Sequence, residues 1–480
     1  MKKILITMLV LMPLSGIQAA KGPKLTFDAG SGEVFSLVMP NGQTVEYTAY
    51  EHLYYVTNVE DSAHQYMNVY VPKGANQKTP ILLRTYAGGN TAVAAIEPQA
   101  NDATGRALAE GYVVAIPGTR GWNTTTRQAA PYYTGQALLD LKAAVRYLRL
   151  FDKKMAGSAE RIITNGTSAG GALSALLGTT GNNPAYEPML KAMGAADTSD
   201  EVYACISYCP LIDLEHADMA YEWLYNCTNN HTRSLTEQQA RLSNELAAQY
   251  PSYLNALKLK DPEDGSPLTA DNFRSYIKWQ IIKSAQIAKN AGAVIADSIG
   301  FTFSEPAAFK PPINAGARLS NTERMQAAAQ LFNRGNQGSS LYEGAAARLR
   351  PQAKRQQGEY IVNLDMETYL NYVVTTQPLK TPPAFDALNV ADDEEFGNAS
   401  EAARLLNPMT FIGDKKTKVA PHWYIRHGAR DRETSFAVPV AFAVKLQNAG
   451  KDVNFLLAWN RSHSGDYALD ELFDWIRSIR

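Results

Sequence analysis

The sequence predicts an α/β fold: a mostly parallel sheet with helices on both faces, interrupted by a large helical insertion. Three observations point there. Short apolar runs alternate with helix-spaced segments as far as residue 213. The alternation lapses between 214 and 420 and resumes at His422. A Gly-rich turn stands where one of the apolar runs gives way to a helix.

Composition agrees with a large globular fold. The chain has 480 residues, 45% hydrophobic and 19% charged, and its formal charge is −1. That is too apolar for a disordered chain, and its 3 cysteines are too few for a disulfide scaffold. A near-neutral balance gives no electrostatic reason to expect nucleic acid or an anionic membrane as partner.

The elements follow in order. Lys2 and Lys3, the apolar run Ile4 to Leu14, and the small residues Ser15, Gly16, Ala19 and Ala20 read as a signal peptide over 1–20. The run is shorter than the ~20 residues of a spanning helix, so it reads as cleaved rather than as an anchor. Cleavage removes two lysines and takes the charge from −1 to −3, and the destination is the periplasm or the exterior of a bacterium.

Residues 24–71 read as antiparallel β, with Tyr, Val and Thr enriched from Val45 to Val56, alternation from Tyr66 to Val71, and a hairpin turn at Asn41-Gly42. Ile81 to Leu83 is a short strand running into Ala87-Gly88-Gly89, and a helix over 101–110 stops at Gly111. Tyr112 to Ile116 is a strand, and Leu138, Leu141, Val145 and Leu148 mark a helix over 135–151. Strands follow at Arg161 to Asn165 and Val202 to Tyr208.

The insertion offers helices at 236–249, 270–290, 321–334 and 365–374, no evident strand, and a solvated acidic run Asp392 to Glu395. A strand at His422 to Arg426, a helix over 434–449, a strand at Val453 to Trp459 and a closing helix with Leu469, Leu472, Phe473 and Ile476 on one face complete the pattern. The expected organisation is a core of 21–213 and 421–480, with a lid insertion over 214–420.

The chemistry-bearing motif is Gly166-Thr167-Ser168-Ala169-Gly170-Gly171. G-x-S-x-G between a strand and a helix is the context of the nucleophile elbow in α/β-hydrolases. Small neighbours let Ser168 adopt a strained conformation with its hydroxyl exposed. A serine hydroxyl needs a base, and the base an orienting acid. In this fold they follow in the order Ser, acid, His. His463, in a loop before the last helix, is the one histidine beyond the final strand, and Asp431 follows the preceding strand. Asp213 and Asp218 are rival acids one strand too early. The expected triad is Ser168, Asp431 and His463.

An oxyanion hole needs two backbone N–H groups, expected from Ala169 and from Gly88 in the Gly-rich loop. His216 and Asp218 lack a third partner, so no metal is expected, and no cofactor motif is present. For Cys205, Cys209 and Cys227 the spacing allows one disulfide or a set of buried thiols.

Residues 112–223 resemble the bacterial subtype B tannases, serine esterases of the α/β-hydrolase superfamily. The resemblance rests on Ile116 to Gly121, Asp140 to Leu148, Asn165 to Leu177, Tyr208-Cys209-Pro210 and His216 to Trp223, and extends to Asp431 and His463. It implies a lid between two core strands and a small-molecule substrate, a galloyl- or feruloyl-type aromatic ester. It also implies that an acid two residues past the triad Asp holds the phenolic hydroxyls. That position is Glu433 here, where the family carries Asp. The family uses a lysine and a glutamate from the lid as well. Lys354, Glu359 and Glu367 lie in that region, without a motif that aligns them. Two other readings stay open from sequence: a serine peptidase on the same fold, and a non-catalytic binding protein with a hydrolase-like core.

Overall fold

A computed structural model of the chain describes residues 24–86, 92–121, 135–228, 235–304, 360–375 and 399–479. The chain enters through β1 (Glu33–Val38), β2 (Thr44–Tyr54) and β3 (Tyr66–Pro72), then alternates. β4 (Pro80–Arg84), α1 (Ala103–Ala109), β5 (Val113–Pro117), α2 (Gly135–Leu150), β6 (Ser158–Thr167), α3 (Ala169–Thr179), α4 (Glu187–Ala192) and β7 (Ala204–Tyr208) make up the first part of the core. α5 (Leu214–Tyr225), α6 (Glu237–Ala256), α7 (Ala270–Asn290), β8 (Phe301–Ser304), β9 (Tyr360–Leu364), α8 (Met366–Thr375), α9 (Ala399–Leu405) and α10 (Pro408–Phe411) follow. β10 (His422–Gly428), α11 (Ala437–Asn448), β11 (Asp452–Ala458) and α12 (Leu469–Ser478) close the chain.

Nine strands form one sheet in the order β1-β2-β3-β5-β4-β6-β7-β10-β11. The pairs from β1 to β5 are antiparallel, and those from β5 to β11 are parallel. Strand alternation sends successive side chains to opposite faces. Ile81, Leu83, Val113, Ile162 and Ile425 join α2, α3 and α11 in one buried cluster. Leu82, Val114, Ile163, Ile206 and Tyr424 join α1 and α12 in the other. Leu472, Phe473 and Ile476 of α12 are buried there, at about 1.5–3 kcal/mol each. Helices thus cover both faces, and the carboxyl ends of the parallel strands lie along one edge, where such sheets hold their ligands.

The insertion differs from expectation in containing a two-stranded antiparallel sheet of β8 and β9, and helices α5, α9 and α10 beyond those expected. Strands of four and five residues are too short for a period to register, and residues 305–359 separate them in sequence. The expected helices at 236–249, 270–290 and 365–374 correspond to α6, α7 and α8. Thr236 and Thr269 open α6 and α7 with capping boxes. The expected helix 321–334, the acidic run 392–395 and segment 1–20 lie outside the described residues. Tyr250, Phe273, Ile277 and Tyr369 of the insertion belong to the same buried cluster as α2 and α3. Among the described residues no helix is long and apolar enough to cross a membrane.

Candidate active site

Ser168 occupies the one-residue junction between β6 and α3, with φ 60° and ψ −122°. A non-glycine residue in that region is strained and persists only where its surroundings fix it. Here they do. Its N–H donates to Tyr208 O at 2.9 Å on the neighbouring β7, and its carbonyl accepts from Ala172 and Leu211. The turn also requires glycine beside it. A Cβ at Gly166 would fall 2.2 Å from Gly170 O, and one at Gly171 2.6 Å from Tyr208 O. Ala169 is the first residue of α3, where the helix itself offers its N–H no acceptor.

Asp431 and His463 meet from the next two strand ends. Asp431 lies three residues beyond β10 and is buried. Its Oδ2 accepts from His463 Nδ1 at 2.8 Å, and its Oδ1 accepts from the Glu433 N–H at 3.0 Å. Burial pushes the Asp431 carboxyl up, but His427, the His463 hydrogen bond and charge, and the Glu433 N–H together outweigh it and hold the carboxyl at about 2. His463 answers in the opposite sense. Burial pulls its ring down, while the hydrogen bond and charge of Asp431, then the charge of Glu433, raise it overall. Its Nε2 has no hydrogen-bond partner among the described residues and is left to act.

The loop that carries His463 is packed against the elbow. A Cβ at Gly465 would fall 1.8 Å from Thr167 Oγ1, so the loop lies on the residue before Ser168. Arg84, at the end of β4, reaches Asn165 Oδ1 at 2.6 Å and forms an ion pair with Asp466 at 3.0 Å, tying β6 to the same loop. Arg430 N–H donates to Arg461 O at 2.9 Å from the other side.

Glu433, 48% exposed, places Oε2 3.7 Å from His463 Nε2. The insertion reaches this acid loop through α8. Tyr369 Oη donates to Ala429 O at 2.6 Å, and Arg432 Nη1 donates to Val374 O at 2.9 Å.

The structure therefore brings Asp431, His463 and Glu433 together, with Thr167, the residue before Ser168, against the His463 loop. Gly88, Lys354 and Glu359 lie outside the described residues, and Glu367 is exposed in the first turn of α8. Of the rival acids, Asp213 is engaged elsewhere. Asp213 accepts from His216 Nδ1 at 2.8 Å, Tyr253 Oη at 2.7 Å and Asn407 Nδ2 at 2.8 Å. Asp218 lies on α5, its carboxyl pushed up to about 6 by burial and then by Glu222. All three cysteines are free thiols, so no disulfide forms. Cys209 lies against Asp431 and His463 and donates to Ser464 O at 3.5 Å. His427, Arg432 and Arg84 are neighbours that sequence reasoning missed. Each acts across the sheet or loops, and the sole local hint was the apolar-run context of His427.

The BD-FAE esterase family matches residues 67–257 of the chain. A tannase from Fusobacterium nucleatum is 31% identical, with a TM-score of 0.74, over 95% of this chain and 99% of that one. A tannin acyl hydrolase from Lactobacillus plantarum is 30% identical, with a TM-score of 0.73, over 95% of this chain and 98% of that one. A tannin acyl hydrolase solved with ethyl gallate is 31% identical, with a TM-score of 0.73, over 95% and 98% of the two chains. No curated protein matches the chain.

Proposed function

Because this chain belongs to the bacterial tannase family of α/β-hydrolases and is a carboxylic-ester hydrolase, we propose that it cleaves phenolic esters, galloyl- or feruloyl-type, with a Ser168–His463–Asp431 triad. The observation that carries this reading is the Asp431–His463 hydrogen bond, with His463 Nε2 left without a partner beside the Ser168 elbow.

His463 Nε2 takes the Ser168 Oγ proton as Oγ bonds to the ester carbonyl carbon. The carbonyl oxygen becomes an oxyanion, which accepts from the Ala169 N–H and a second N–H assigned to Gly88. The helix α3 behind Ala169 adds a favourable dipole. Collapse of the intermediate breaks the bond to the alcohol oxygen, and His463 returns the proton to that oxygen. Water then attacks the acyl-Ser168 carbonyl and gives its proton to His463; collapse breaks the bond to Ser168 Oγ, His463 returns the proton to Oγ, and the carboxylic acid leaves. Asp431 stays ionised throughout and stabilises the imidazolium each time it forms.

Glu433 is assigned to the phenolic hydroxyls. It is half exposed, close to Nε2 and outside the Asp431–His463 hydrogen bond, so its carboxylate can accept from a ring hydroxyl of the bound acyl group. The relatives solved with ethyl gallate and 3,4-dihydroxybenzoate support an aromatic acyl group. The insertion acts as a lid through α8, and the N-terminal basic, apolar and small residues support export. A substrate panel of methyl gallate, methyl ferulate and p-nitrophenyl acetate tests the reading. Preference for the first two supports it, and turnover of p-nitrophenyl acetate alone would overturn the phenolic assignment.

A further inference from the structure

His427 stands on β10, four residues before Asp431, and is fully buried. Neither of its ring nitrogens has a hydrogen-bond partner among the described residues. A buried polar group without a partner is costly and calls for a reason. The Phe436 ring stands edge-on to it, with centroids 5.7 Å apart and planes at 85°, and supplies no acceptor. The charged atom facing it is Asp431 Oδ2, 3.6 Å from His427 Nε2. That is beyond hydrogen-bond length but close enough to act electrostatically. The same oxygen receives Nδ1 of His463.

We propose that His427 is a positioning residue for the ester-cleavage reaction: its Nε2–H points at Asp431 Oδ2 and holds the carboxylate in the orientation that receives His463. The inference rests on the Ser168–His463–Asp431 assignment.

The chemistry of a neutral imidazole fits this task. Such a ring has one N–H, and placing it on Nε2 is the arrangement in which it meets the carboxylate. Burial, first of all, keeps the His427 ring neutral. A neutral ring orients Asp431 through its N–H dipole without adding a positive charge. A second cation beside Asp431 would compete with the imidazolium that forms at His463 when it takes the serine proton. As that charge develops, the 3.6 Å approach can tighten, as catalytic contacts commonly do when substrate binds.

The other titratable groups that act on Asp431 come from separate elements. They are His463 after β11, Cys209 after β7, Tyr225 of α5, and Arg432 on the acid loop. Among the described residues, His463 Nδ1 and the Glu433 N–H donate to the Asp431 carboxylate, and His427 is a buried ring that faces it with no hydrogen-bond partner of its own.

The test compares two variants of the full-length protein. His427→Leu keeps an apolar shape but has no donor. His427→Gln keeps an N–H near the position of Nε2. With p-nitrophenyl acetate, His427→Leu is expected to lower kcat by about 10²-fold with KM unchanged, the penalty typical of a misplaced catalytic group. Its acid limb should move to lower pH, because a carboxylate no longer held in place raises His463 less. His427→Gln should recover about tenfold of the lost kcat. If His427→Leu does not fold by circular dichroism, His427→Asn, whose amide is too short to reach, takes its place. A folded variant without the donor that keeps wild-type kcat overturns the proposal. So does equal impairment of donor and non-donor variants with an unmoved acid limb, which marks His427 as packing alone. Ser168→Ala separates the two levels of failure: an active Ser168→Ala protein removes the triad itself, whereas an inactive one beside a fully active His427→Leu removes only the role of His427.

Discussion

His463 sits between two opposing influences, and their balance reaches the pH–rate profile. Burial disfavours its charged form, while the Asp431 hydrogen bond and charge favour it more, so its pKa lies above the ordinary histidine value. The proposed general-base step needs the neutral ring, so it is lost as pH falls through that raised pKa. The acid limb of kcat/KM should therefore centre above the ~6.5 of a free histidine; a limb at or below that value would contradict the geometry. Glu433 adds to the rise. Glu433→Gln should thus move the limb downward. On the pH plateau it should also lower kcat/KM for methyl gallate by about 5- to 30-fold, from a hydrogen bond weakened by roughly 1–2 kcal/mol. Turnover of p-nitrophenyl acetate on the plateau should barely change; equal losses on both substrates would assign Glu433 to the acid loop instead. Ser168 was legible because a nucleophile elbow demands small residues at fixed offsets, and Asp431 and His463 because chain order limits the choice. His427 and Arg84 were not, because each takes its meaning from a neighbour brought close by strand pairing or a distant loop, such as Asp466.

At the scale of elements, α8 is one piece of the insertion that touches the Asp431 loop. Tyr369 donates to Ala429 O, two residues before Asp431, and stacks near Trp459 at the end of β11, with centroids 6.4 Å apart. Arg432 donates to the carbonyl of Val374 in the last turn of the helix. Tyr369→Phe removes one hydrogen bond and leaves a buried carbonyl short of its donor, a loss of about 1 kcal/mol in unfolding free energy. Because α8 borders the loop of Glu433, kcat/KM on methyl gallate should fall further than on p-nitrophenyl acetate. Urea unfolding and the two substrates together check this, and equal losses on both would separate α8 from acyl recognition. Three helices of the insertion, α6, α7 and α8, were readable from the sequence, whereas α5 and the short α9 and α10 were not. The β8–β9 pair was not, since four- and five-residue strands carry too little alternation and pair across residues 305–359.

Over the whole molecule, the order of strands and helices was legible because a parallel sheet buried on both faces writes continuous apolar runs, such as Val113 to Ile116, into the chain. The relation of the insertion to the core was not. Phe273, Ile277 and Tyr369 are buried in the same cluster as Leu141, Leu173 and Phe442, so the insertion shares buried interior with the sheet domain. No periodicity records which apolar faces will meet. The parallel strands bring β6, β10 and β11 to one edge, and the residues just past their ends are Ser168, the Asp431 loop and the His463 loop. The most direct test is therefore Ser168→Ala in the full chain, assayed on methyl gallate with circular dichroism to verify the fold. Triad catalysis predicts a loss of kcat on the order of 10⁴ to 10⁶, with His463→Ala similar and the double variant little worse. A folded Ser168→Ala protein that keeps about a tenth of wild-type turnover would contradict it.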